Sequence, residues 1–79
     1  MKLKEFKKLV MKDASVTITE FAHDKKTGKY YSFRTVYYKE PMSKVDDEYI
    51  LDLDVIGVSS DVFNLMIDVK SYIEIPEEE

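Results

Sequence analysis

The sequence predicts a small α+β domain, with a short N-terminal amphipathic helix packed on a curled four-stranded antiparallel meander. Three observations support this. One segment near the start has apolar residues at helical spacing, four later segments alternate with the period of a strand, and polar or turn-forming residues separate them. The chain has 79 residues, enough for one core and no second domain. It is 44% hydrophobic and 35% charged with only two Gly and two Pro, a globular and not a disordered composition.

Residues 2–12 read as the helix. Leu3, Phe6, Leu9 and Val10 form one stripe, and Lys2, Lys4, Glu5, Lys7, Lys8 and Lys12 cover the remainder. So short a helix must dock to persist, and Leu3, Phe6 and Leu9 are expected on a sheet face made by Val16, Ile18, Leu53, Val55, Ile67 and Val69. Strand one, 15–23, puts Val16, Ile18 and Ala22 on one side and Thr17, Thr19 and Phe21 on the other. A hairpin loop follows, in which Gly28 is the residue able to take a positive φ. Strand two, 29–39, is dense in aromatics. Plain alternation puts Tyr30, Arg34, Val36 and Tyr38 on one face and Tyr31, Phe33 and Tyr37 on the other.

Pro41 and the polar residues after it mark 40–48 as a loop. Strand three covers 49–59, although 46–51 also reads as a helical turn with Asp46 as its N-cap. Gly57 suggests a bulge or a close backbone approach. Strand four covers 65–75, with Leu65, Ile67, Val69, Ile73 and Ile75 on one face, and residues 76–79 form an acidic tail. Short hairpin connections between consecutive strands favour the meander, and eleven-residue strands favour coiling.

Several function classes lose their chemistry at once. Without cysteine there is no disulfide, thiolate nucleophile or thiolate metal site. The lone histidine, His23, reads as an exposed strand-end residue, and no glycine-rich loop cradles a phosphate. Asp52 and Asp54, two residues apart on a strand, could hold a divalent cation only weakly, so no metal, cofactor or catalytic residue is expected. No run is long enough for a signal peptide or a membrane span, which points to the cytoplasm.

Charge is unevenly distributed. Residues 1–44 carry a net +6 and residues 45–79 a net −10. Basic strand two could lie beside acidic strand three or four and be offset there; otherwise the molecule is bipolar. The Tyr/Arg strand resembles a protein-interface anchor, and the overall acidity argues against nucleic acid.

The segments Lys2–Leu9, Val16-Thr17-Ile18 and Val55-Ile56-Gly57-Val58-Ser59 resemble small hypothetical proteins of phages and prophages of low-GC Gram-positive bacteria. That resemblance implies a phage-associated context and no activity or residue roles. The expected function is a non-enzymatic protein-interaction module, encoded by a phage or prophage, that binds itself or a host protein. Its candidate surface is Tyr30, Arg34, Tyr38, Asp52 and Asp54, with a homodimer formed near Tyr30, Arg34 and Tyr38. The alternatives are an acidic inhibitor that imitates nucleic-acid charge and a small nucleic-acid-binding domain using the aromatic, basic strand.

Overall fold

A computed structural model describes residues 1–76, so Glu77–Glu79 of the acidic tail lie outside the described residues. The elements are α1 (Leu3–Lys7), β1 (Ser15–Asp24), β2 (Tyr30–Pro41), a 3-10 turn (Met42–Lys44), α2 (Glu48–Leu51), β3 (Asp54–Asp61) and β4 (Asn64–Ile73). The α+β class holds, but the meander does not. The sheet order is β2-β1-β4-β3, with β1 and β4 parallel at the centre and the other pairs antiparallel.

Both hairpins form. Gly28 takes φ 75° and its N–H donates to Asp24 O at 2.7 Å, closing the first. The second hairpin then joins the free side of β1 and not that of β2. The connection from 42 to 53 makes this possible, because it is long enough to cross one face of the sheet. It carries Met42, Val45 and Ile50 into the core as it goes. A plain loop there would have had to follow the surface.

The core contains Leu3, Val16, Ile18, Met42, Val45, Ile50, Ile67 and Val69, all on the helix-covered face. The parallel register sets Ile18 beside Ile67 and Glu20 beside Val69, so adjacent strands present one apolar seam. The sheet is open and not strongly curled. β3 has only eight residues, and among the described residues nothing joins the outer edge of β2 to that of β3. The molecule is accordingly elongated, 47 Å in its longest dimension.

Helix α1 is five residues, not eleven. Its start is held by Glu5, whose carboxylate accepts from the Lys2 N–H at 3.2 Å. It stops early because the chain turns at Lys12-Asp13, with Ala14 N donating to Met11 O, and Lys12 O and Ala14 O accept from Ser43 N and Met42 N. Leu3 is fully buried and Phe6 half-buried, whereas Leu9 is 72% exposed and does not dock as the stripe predicted. Helical structure at 48–51 replaces the start of strand three. Its N-cap is Asp47, not Asp46, with the Asp47 carboxylate accepting from Tyr49 N at 3.0 Å. In β3, Ile56 is the extra residue of a bulge, and a Cβ on Gly57 would lie 3.3 Å from Asp68 Oδ2.

The two-residue turn Val62-Phe63 closes the second hairpin with Phe63 at φ 71° and 92% exposed. That conformation suits Gly or Asn and strains a bulky aromatic. Phe63→Gly should therefore raise stability by about 0.5–1 kcal/mol in urea denaturation. In the same assay Leu3→Ala should cost about 3 kcal/mol. Phe6→Ala should cost less, about 1–2 kcal/mol, because part of the ring is already wet. Leu9→Ala should stay within about 0.5 kcal/mol. A cost for Leu9→Ala equal to that of Leu3→Ala would contradict the short helix.

Candidate functional site

An open sheet has two edges, and this one treats them differently. Along β3 the N-terminus adds a stub of extended chain: Val55 N donates to Met1 O at 2.8 Å and Leu3 N to Leu53 O at 2.9 Å. Lys2 pairs with Asp54 in an antiparallel bridge on the side away from β4. The lysines of this segment also meet the acid there, Lys4 Nζ at 3.1 Å and Lys2 Nζ at 3.3 Å from Asp52 Oδ1. These bonds, Lys4's first and then Lys2's, hold the Asp52 carboxyl below its ordinary pKa. Strand β2 has no such cover. Among the described residues no backbone segment pairs with its outer side along twelve residues, and proline occurs only at its end.

Side chains of β2 serve both faces of the sheet because bulges interrupt its alternation. The register with β1 shifts between Val16 and Ile18, Ile18 and Thr19, and Ala22 and His23. Phe33 therefore pairs with Phe21, and Tyr30 with His23, on the face that no helix covers. The rings form a run. Phe21 lies 5.8 Å from Phe33 and 6.4 Å from Tyr30, while His23 lies 6.0 Å from Tyr30 and 5.9 Å from Tyr72. Lys70 Nζ sits 5.1 Å above the Tyr72 ring. His23 is thus half-buried among rings, not a free strand-end histidine, and its Nδ1 is 3.0 Å from Phe21 O.

On the helix-covered face, Arg34 pairs with Glu20. Glu20 is only 3% exposed, and a carboxylate so placed needs partners. Its Oε1 accepts from Arg34 Nε at 2.8 Å and its Oε2 from the Tyr49 hydroxyl at 3.1 Å. Burial opposes ionisation, but the nearby Ser71 hydroxyl, Arg34 and Tyr49 outweigh it and hold the Glu20 carboxyl below its ordinary value. Ser71 Oγ is wholly buried and has no hydrogen-bond partner among the described residues. The Glu20 bond also pushes the Arg34 guanidinium up, and burial pushes the Tyr49 phenol up. Glu20 stands where the helical cover ends, and beyond it opens a groove of about 420 Å³ lined by Ala22, Ser32, Phe33, Arg34, Tyr49 and Ile73. A second groove, about 600 Å³, follows the same strand past Val36, Tyr37, Tyr38, Glu40 and Lys44.

The predicted surface is divided by this arrangement. Tyr30, Arg34 and Tyr38 are all on β2 and exposed, yet Tyr30 and Arg34 belong to opposite faces, since a bulge inverts parity between them. Asp52 and Asp54 are at the other side of the molecule, by the β3 edge. They are not a strand-face pair either, because Asp52 caps α2 and only Asp54 belongs to β3. The expected offset of basic strand two by an acidic neighbour also fails, since among the described residues β1 is the only strand beside β2. Charge compensation comes instead from Lys2 and Lys4 on Asp52 and from Arg34 on Glu20.

Glu20 and Tyr49 escaped the sequence reading. Glu20 shares the parity of Val16, Ile18 and Ala22, and a carboxylate on an apolar face was the available signal. Tyr49 had none, because a crossing connection brings it to the sheet.

Fold and site together define a small mixed-sheet α+β domain whose β2 edge, among the described residues, is open along its whole length. Comparison of the chain with family models, curated proteins and solved structures finds no match. Among the described residues, no helix is long and apolar enough to cross a membrane.

Because the folded pKa of Glu20 is lowered, its stabilisation is fully present above the unfolded value near 4.5 and is lost as pH falls through the folded value. Glu20→Gln should therefore flatten the fall in urea midpoint between neutral pH and pH ~3, since an amide does not titrate there. An unchanged pH slope would remove Glu20 from the acid-sensitive groups.

Proposed function

We propose that this chain is a non-enzymatic protein-interaction module whose contact strand is β2. The asymmetry of the two edges carries this reading. An unpaired strand edge is a template for another chain, and folded proteins ordinarily blunt it. Here Met1–Leu3 and bonded lysines cover the start of β3, at Leu53–Val55, while β2 stays bare along its whole length and presents Tyr30, Tyr31, Phe33 and Tyr38 more than half exposed. Large aromatic side chains are common anchors at protein interfaces. An added strand would also find both grooves alongside β2.

The other readings have less support. An acidic array imitating a nucleic-acid backbone is interrupted by Lys2 and Lys4 at Asp52 and by Lys70 opposite Asp54. Nucleic-acid binding would use the rings of the bare face, but the cations on β2 itself are only Arg34 and Lys39. Phosphate contacts supply most such affinity.

A photo-crosslinking amino acid at Tyr31 or Tyr38 should give one discrete protein adduct in a lysate of the source cell, and the same group at Ile56 on β3 should not. The adduct mass distinguishes a second copy from a foreign protein. Equal labelling from β3, or none from β2, counts against the proposal. In parallel, titration with mixed oligonucleotides at physiological salt should show no binding tighter than about micromolar, the upper range of non-specific affinity.

A further inference from the structure

We infer that β2 takes up an extended acidic segment of a foreign protein, with one of its carboxylates held by the free end of Arg34. The inference rests on β2 being the contact strand and specifies what that strand recognises. Arg34 is tethered through Nε alone, leaving both terminal amino groups, and their four N–H donors, without a protein acceptor among the described residues. Glu20 fixes the plane of the guanidinium, and Tyr49 fixes Glu20. The side chain is still two-thirds exposed and opens on the groove beyond Glu20. A planar fork held from behind, with its front pair of donors free, matches a carboxylate in bidentate geometry.

Strand geometry supplies the reach. A chain paired along the outer side of β2 places every second side chain on the Arg34 face, with a directly opposite Cβ about 5 Å away. Charge favours acid over base along that edge. From Lys29 to Lys44 the chain holds Lys29, Arg34, Lys39 and Lys44 against Glu40 alone. Of the acids nearest Arg34, Glu20 uses both oxygens on Arg34 and Tyr49, and Asp47, whose charge also reaches Arg34, accepts from Tyr49 N through Oδ1. A second copy is the poorer occupant. The start of its acidic β3 edge is covered by Met1–Leu3, and pairing β2 with β2 brings like charges together.

The test uses the full chain and three labelled, capped octapeptides, alternating Thr with Glu, with Gln or with Lys. Fluorescence anisotropy at low ionic strength reads affinity, and backbone amide shifts locate the contact. The Glu peptide should bind at least about fivefold more tightly than the Gln peptide, the order expected for one exposed charge-assisted pair, and the Lys peptide most weakly. Shifts should concentrate on β2. Arg34→Gln should erase the Glu-over-Gln preference, and Lys39→Gln should leave it. Since Arg34→Gln strands the buried Glu20, Arg34→Lys provides a variant that keeps the charge; it should lower the preference while the amide spectrum stays folded.

Equal binding of the Glu and Gln peptides at β2 overturns the inference and leaves the contact strand intact. Failure of all three peptides to shift β2 overturns both, as does tighter binding of a single-stranded oligonucleotide at the same amides. Dimerisation of the free protein through β2, seen by light scattering, overturns the foreign occupant.

Discussion

Parallel pairing of β1 with β4 is the constraint on which the rest of this small domain depends. It sets Val16 and Ile18 against Leu65 and Ile67 in one continuous apolar seam. A seam of parallel strands needs cover on its core face, and parallel strands cannot be joined by a tight turn. The chain meets both needs with the connection from 42 to 53, which crosses that face and inserts Met42, Val45 and Ile50, while Leu3 closes the remaining side. Because this cover is short, it protects only one end of the sheet. The other end, past Glu20, keeps a bare face and a groove.

The same constraint explains the edges. With β1 and β4 inside, β2 and β3 become the outer strands and are separated by the full width of the sheet. The uneven charge in the sequence does not become a simple polarity, because basic residues of the first half reach the β3 edge. The N-terminus is drawn to the β3 side, where Leu3 is buried and Lys2 and Lys4 meet Asp52. One edge is thereby blunted as part of making the core. Among the described residues no equivalent segment covers β2, and its Tyr30, Tyr31, Phe33 and Tyr38 stay more than half exposed.

The Glu20–Arg34–Tyr49 cluster connects core and edge. A buried carboxylate is tolerable only with matched donors. One of these donors comes from the connection that covers the core and the other from the open strand. The position of α2 and the orientation of a β2 side chain are in this way held by a single charge.

The sequence by itself determined the class, the element types and most of the core. Alternation in 15–23 and 65–75 is strong, because one face of each segment is apolar, and Gly28 and Gly57 marked a turn and a bulge through backbone needs that are purely local. It could not determine strand order, since two hairpins can be joined at either side of β1 with the same alternation. Nor could it resolve the faces of β2, where bulges invert the parity that pattern reading assumes, so Tyr30 and Arg34 parted although both are even-numbered. Helical spacing overextends the helix at the start because Leu9 fits the stripe, while residues 11–14 form a turn whose Lys12 O and Ala14 O accept from Ser43 N and Met42 N. Glu20 was visible as a carboxylate among apolar neighbours, but its partners were not. Arg34 and Tyr49 are fourteen and twenty-nine residues away, and only the tertiary structure brings separations of that kind within a hydrogen bond.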